Sequence, residues 1–281
     1  SANFVKYFEI SKKFLAICEN FSPDVELFSI DEVFIDATLT NHLFGGVYNM
    51  VRAIKKRIRE ELGEYITVSV GISHNKLLAK LASGMNKPDG MFEITKKNLE
   101  SVYKIAKLTD ICGIGERVKL RLNKIGIYSL IQLRDANIKS LISEFGPAEA
   151  GFLKDVGFGI DSQSFNSFKN APDIKSVGRN YYLPKNEYNK TVVLQNIYEL
   201  CEEVGIKLRR LNKKARTIGI SLRGNSSIHG RKTYNEYFDS GKEIFTACLP
   251  ISSSHLEGGS LVYVRQIGIW AGNLEDSINI T

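Results

Sequence analysis

Cysteine is scarce and scattered in this chain. The four cysteines, Cys18, Cys112, Cys201 and Cys248, lie far apart with no CxxC pair, so neither a zinc site nor a disulfide framework is indicated. They read as reduced thiols of an intracellular protein, with Cys112 expected in the core. The four histidines, His42, His74, His229 and His255, show no HExxH or similar spacing, and no chemistry is assigned to them. No apolar run is long enough to span a bilayer, and no signal peptide is visible, which predicts no membrane partner. The chain opens Ser1-Ala2-Asn3 instead of on methionine, as a tag remnant followed by a fragment would.

The most informative absence is of acid. Between Val204 and Asn235 there is no Asp or Glu, while the same span holds Lys207, Arg209, Arg210, Lys213, Lys214, Arg216, Arg223, Arg231 and Lys232. Solvated surfaces normally intersperse both signs, so a stretch this one-sided points to a phosphate backbone, bound by salt-sensitive contacts that carry little base information. The plainer alternative is a basic helix surface. A formal net charge of +7 agrees with a polyanionic partner without identifying it. With 281 residues the chain is long enough for two or three domains with real cores.

What is present is organised around Ser29-Ile30-Asp31-Glu32-Val33-Phe34-Ile35-Asp36. Two adjacent carboxylates sit between apolar, β-favouring runs, which predicts a hairpin whose turn carries Asp31 and Glu32. Neighbouring acids repel, and a divalent cation such as Mg²⁺, which prefers carboxylate oxygens, would relieve that; an exposed acidic turn is the bland alternative.

Around this stretch the first third alternates helices and strands. Helices are predicted over 4–21, over 47–62 with apolar Val47, Val51, Ile54, Ile58 and Leu62 at helical spacing, and over 76–85. The basic residues of the second helix, Arg52, Lys55, Lys56, Arg57 and Arg59, read as a solvated face. Strands are predicted over 25–28, 66–72 and 91–94, in a sheet carrying the acidic turn. From Lys96 to about Gly159 the texture changes to short helices separated by glycine. Inside it, Gly113-Ile114-Gly115 before a leucine-rich helix is a helix-hairpin-helix signature, whose backbone N–H groups can hold a phosphate. Asp161 to Asp173 is polar and reads as a linker. From Ile174 the order is β-α-β-β-α-β: a strand ending at Pro184, a long helix with Val193 to Leu211 on its apolar face, strands over 215–223 and 226–238, a helix over 242–249, and a strand over 260–270. Arg179 and Arg265 add basic residues on strands.

Together these motifs resemble Y-family translesion DNA polymerases. Ser29-Ile30-Asp31-Glu32 with Asp36, then Val70-Gly71-Ile72-Ser73-His74-Asn75-Lys76-Leu77-Leu78-Ala79-Lys80-Leu81-Ala82-Ser83, then Asn86-Lys87-Pro88-Asp89-Gly90, look like that family's palm motifs. The glycine hairpin falls where its thumb carries one. Ser176-Val177-Gly178-Arg179 and Arg265-Gln266-Ile267-Gly268 resemble outer strands of its little finger. The ending Val264 to Leu274 looks closest to UmuC-like, impB/mucB/samB-type proteins, with the polymerase IV branch as the other possibility.

The resemblance implies an α+β multidomain chain: a partial palm over 1–95, an all-helical thumb with its helix-hairpin-helix over 96–160, a linker over 161–173 and a little-finger domain over 174–281. It implies error-prone, template-directed nucleotidyl transfer on primed template DNA with a deoxynucleoside triphosphate, through a two-ion Mg²⁺ site. Asp31 and Glu32 match the metal-binding acids, Lys87 a lysine that touches the triphosphate, and Asp36 a supporting position. Gly113, Ile114, Gly115, Arg179, Arg216, Arg231 and Arg265 would contact DNA. A sliding clamp is expected only as a partner of the full-length protein, and the bacterial cytoplasm, at the nucleoid, as the location. The family's palm begins with a strand bearing a further metal-binding aspartate, followed by fingers; this chain begins at the helix after them, so the fragment alone is expected to extend primers poorly. The rival readings are a non-catalytic DNA-binding module and, more weakly, a cyclase-like palm enzyme.

Overall fold

The computed structural model describes residues 3–166, 173–257 and 262–279. The chain forms two compact units, residues 1–171 and 172–281, each with its own core.

The first unit opens with helix α1 (Phe4–Glu19), which precedes an antiparallel ribbon of β1 (Val25–Ser29) and β2 (Glu32–Ile35). Helix α2 (Val47–Leu62) follows, and its apolar stripe Met50, Ile54 and Ile58 packs with Ile17 and Phe21 of the α1 segment. The expected strand over 66–72 is shorter, because only Val70–Ile72 (β3) finds a partner, pairing in parallel with β4 (Met91–Glu93). The single sheet expected here is therefore two separate two-stranded ribbons.

Between β3 and β4 runs α3 (Lys76–Met85), begun by Asn75, whose side chain accepts from the Leu78 N–H. Five short helices complete the unit: α4 (Leu99–Ile105), α5 (Glu116–Lys124), α6 (Leu130–Asp135), α7 (Ile138–Phe145) and α8 (Pro147–Phe158). Leu77, Leu78 and Leu81 of α3 share one buried cluster with Val102, Leu122, Leu130, Leu141 and Leu153, so the packing runs continuously across residues 95 and 96. The start of the polar stretch expected as a linker folds back on this unit: Asp161 accepts from the Leu77 N–H, and the Asn166 N–H donates to Glu26. Residues 167–172 of that stretch lie outside the described residues.

The second unit is the expected β-α-β-β-α-β arrangement: β5 (Ser176–Glu187), α9 (Lys190–Arg210), β6 (Lys213–Gly224), β7 (Ser227–Phe238), α10 (Gly241–Glu257) and β8 (Val264–Asp276). The strands form one antiparallel sheet in the order β5-β8-β6-β7. Strand β5 runs through Pro184 instead of stopping there, which an edge strand tolerates because no partner needs that N–H. Helix α10 likewise continues past Leu249, through Pro250. Strand β8 extends beyond Trp270 because its last residues pair with the start of β6, Lys213 with Asp276 and Ala215 with Leu274. The start expected for it at Ser260 lies outside the described residues. Val177, Ile218, Ile220, Ile267 and Ile269 meet α9 and α10 in one core, so both helices cover the same face of the sheet.

Candidate functional site

The acidic hairpin is built as the alternation of its residues directs, with one difference. Ile30 and Asp31 form the turn, and Glu32 already belongs to β2, opposite Ser29. The register is irregular between Leu27 and Ser29, which moves the turn back by one residue. The Ser29 hydroxyl donates to Asp31 Oδ1 at 2.7 Å and lies 3.5 Å from Glu32 Oε2, so one hydroxyl sits between the two carboxylates. Asp36 stands at the far end of β2, where its carboxylate accepts from the Thr38 N–H at 2.9 Å. It shapes the next turn and does not join the pair.

Helix α3 holds this hairpin through two lysines one turn apart. Lys76 Nζ donates to both oxygens of Glu26 at 3.0 Å and to Ser164 O at 2.8 Å. Lys80 Nζ is bonded to Glu32 Oε1. Each ammonium also stands over an aromatic ring, Lys76 over Phe34 at 5.9 Å and Lys80 over Phe28 at 5.7 Å. These two rings meet edge to face at 5.3 Å.

A cleft of roughly 1280 Å³ runs along the hairpin, lined by α1, α2, β3 and α3. Val33, Ile35, Met50 and Val70 give it apolar walls, and its charged lining includes Asp31, Glu32, Lys80 and Lys87 together with Asp36, Lys76, Asp89 and Asp161. Lys87 is exposed on the turn Asn86–Gly90, and that turn is anchored from α2. Lys55 Nζ lies 2.9 Å from Asp89 Oδ1 and is also bonded to the Asp89 carbonyl; Arg59 pairs with the other carboxylate oxygen. Lys55, then Arg59, hold the Asp89 carboxyl below its ordinary range. So the α2 lysine expected on a solvated face is instead the clasp of the turn that carries Lys87.

Two carboxylates and a hydroxyl make a donor set of hard oxygens. That is the chemistry of Mg²⁺, which is often held by one or two carboxylates plus water and substrate phosphates. Asp31 and Glu32 fit such an ion. Among the described residues no group of three or more His, Cys, Asp and Glu gathers as a metal site.

The glycine hairpin lies before α5. Gly113 takes φ +99°, a backbone shape that favours glycine, and an added Cβ would fall 2.8 Å from the Phe152 ring. Ile114 is buried, and its N–H donates to Ile111 O, so its role is to anchor the turn. Gly115 is the N-cap of α5 without a side-chain cap, which leaves backbone N–H groups of the first turn for an anion. Cys112, expected in the core, is exposed because Ile111 and Ile114 on either side take the buried positions.

In the second unit, the face of the sheet away from the helices is defined by register. Its rows run Gly178–Trp270–Gly219–Arg231, Asn180–Gly268–Ser221–His229 and Tyr182–Gln266–Arg223–Ser227. Arg231 and Arg223 thus share this open face, and neither makes an ion pair among the described residues. Arg216 is exposed at the irregular register between Ala215 and Thr217. Arg265 donates to Leu183 O on the edge strand. Arg179 has the parity of Val177 and Leu183 and pairs with Glu203 of α9, so it stands on the helix side. The acid-free stretch is not acid-free in space either: Lys213 pairs with Asp276 at 2.8 Å, Lys214 with Asp239 at 3.8 Å, and Arg209 donates to Asp239 O. Lys76, Lys80, Lys55 and Trp270 were not legible as site residues, since their partners come from segments remote in sequence.

Among the described residues no helix is long and apolar enough to cross a membrane. Residues 1–84 match the impB/mucB/samB family, and residues 174–279 match the C-terminal domain of that family. DNA polymerase IV of Moorella thermoacetica is 32% identical over 252 residues, 89% of this chain and 62% of that protein. DNA polymerase IV of Acetivibrio thermocellus is 32% identical over 223 residues, 79% of this chain and 55% of that protein. DNA polymerase IV of Clostridium perfringens strain SM101 is 29% identical over 275 residues, 98% of this chain and 75% of that protein. The first two relatives are therefore matched over less than two thirds of their length. Among solved structures, the Y-family DNA polymerase chimera Dbh-Dpo4(243-245)-Dbh superposes with a TM-score of 0.78 at 25% identity, over 96% of this chain and 77% of that one. With both of its units matched and the fold shared, this chain belongs to the impB/mucB/samB family of Y-family translesion polymerases.

Proposed function

We propose that the chain is the DNA-gripping and acid-bearing part of a translesion DNA polymerase, acting on primed template DNA and a deoxynucleoside triphosphate. One observation carries this reading: the fold brings Lys87, remote in sequence, onto the cleft that carries the adjacent Asp31 and Glu32. Mg²⁺, held by Asp31 and Glu32 when bound, would stabilise the attacking and leaving oxygens of nucleotidyl transfer. Ser29 orients the Asp31 carboxylate through its hydroxyl. Lys87, fixed by the Asp89 clasp, offers a point positive charge to a triphosphate. The Gly115 N-terminus of α5 offers N–H groups to a phosphate, and Arg223, Arg231 and Arg216 offer guanidinium groups to a DNA backbone. A sliding clamp and action at the nucleoid belong to the whole polymerase under this reading.

The test is Asp31→Ala. Mn²⁺ binding, followed by the resonance of the free ion, is expected to be lost, while affinity for a primed template stays the same or rises as a negative charge leaves. A variant that binds Mn²⁺ normally but loses DNA would support the rival reading, a DNA-binding module with a structural acidic hairpin.

A further inference from the structure

We propose that Lys80 is a built-in counter-ion of Glu32, which occupies one oxygen of that carboxylate in the free protein and competes there with a divalent cation. The inference rests on the reading of Asp31 and Glu32 as metal-binding acids. It starts from a contrast between two lysines that α3 presents to the same hairpin. Lys76 is fully engaged: it holds both oxygens of Glu26 and the carbonyl of Ser164, and Glu26 in turn accepts from the Asn166 N–H. The side chains of that pair are 14% and 13% exposed. It is a structural clamp with every partner in place.

Lys80 is different. Among the described residues its ammonium has one polar partner, Glu32 Oε1, plus the face of Phe28. The pair is 27% and 36% exposed, so water can replace either partner as the two separate. The same carboxylate is the one its neighbour Asp31 would share with an ion, through the hydroxyl of Ser29. An ammonium at hydrogen-bond distance from Glu32 and a divalent cation on the same carboxylate repel each other strongly. The two compete.

Two consequences follow. Without metal, Lys80 offsets the repulsion between Asp31 and Glu32 and keeps Glu32 aimed into the cleft. With metal, the released ammonium stays on the wall that also carries Lys87, where it is available to an anionic phosphate. The arrangement makes metal binding by the free protein weak by design of its own side chains.

The experiment is a Mn²⁺ titration of the 281-residue chain and its variants, read from free-ion resonance, beside far-UV circular dichroism and thermal melts. Lys80→Met and Lys80→Gln are expected to tighten Mn²⁺ binding about five- to tenfold, because a competitor and a repelling charge leave together. Lys76→Met is expected to leave it within twofold. Unchanged or weaker binding in both Lys80 variants would overturn the proposal and make Lys80 a supporting group for Glu32. Loss of folded signal in both would overturn it as well, since a counter-ion that a cation can displace is not essential to the fold. Asp31→Ala separates the two levels: if it leaves Mn²⁺ binding intact, the metal reading itself fails, whatever Lys80 does.

Discussion

The open face of the sheet can be probed through its one tryptophan. Trp270 is the only tryptophan of the chain, and its indole lies across Gly219, the residue it pairs with on β6. An added Cβ at Gly219 would fall 2.1 to 2.4 Å from Cε2, Cζ2 and Nε1 of that ring. Carbon atoms need about 3.5 Å, so the ring has to move by more than about 1 Å in Gly219→Ala. The strand cannot yield instead, because Ile218 and Ile220 on either side are buried in the core at 0% and 3% exposure. Lifting the indole forfeits contact over about half of its roughly 200 Å² surface, worth about 2.5 kcal/mol at about 25 cal/mol per Å². A strained side-chain rotamer adds up to about 1 kcal/mol, and the better strand preference of alanine returns about 0.5 kcal/mol. A net loss of about 2–3 kcal/mol corresponds to a fall in melting temperature of roughly 10 °C for a domain of this size. The assay is tryptophan emission with a parallel melt: the emission maximum should shift to the red and the second unit should melt earlier. DNA should quench the wild-type emission and lose that effect at high salt, and it should quench the variant less. An unchanged emission maximum together with an unchanged melt would refute the seating of Trp270 on Gly219.

Three further outcomes are expected. Lys76→Met leaves Glu26 without its cation in a pair only about one seventh exposed, and should cost about 2–3 kcal/mol in denaturant unfolding of the first unit, whereas Lys80→Met should cost less than about 1 kcal/mol. Arg231→Gln and Arg223→Gln should each weaken binding to primed DNA irrespective of sequence and reduce the salt slope by about 1, measured by anisotropy over a range of salt; Arg179→Gln, on the helix side with Glu203, should leave the slope unchanged. Asp89, whose carboxyl is held low by Lys55 first, contributes stability that is present above its unfolded-state value of about 4 and is lost as pH falls through the lower folded value. Protection of the Asn86–Gly90 turn amides, relative to their intrinsic exchange rate at each pH, should therefore fall only in acid, and in Lys55→Met it should be low at neutral pH as well.

What the sequence determined by itself was the set of elements and their chemistry. The helical spacing of Val51, Ile54 and Ile58 made α2, the alternation of Ile218, Ile220 and Leu222 made β6, and the paired acids after Phe28 marked the hairpin. These follow from local periodicity, which needs no knowledge of the partner. Tertiary structure alone decided which groups meet. Residues 66–69 have the composition of a strand yet lie outside one, because a strand exists only where another backbone takes its hydrogen bonds. The side of the sheet on which an arginine stands depends on its parity in the strand register, so Arg179 went to the helices while Arg231, across from Gly219, went to the open face. The lysines of α3 were legible as a helix face, but their glutamates are 48 and 50 residues away, and only the packing of α3 against the hairpin made one pair a clamp and placed the other lysine on Glu32.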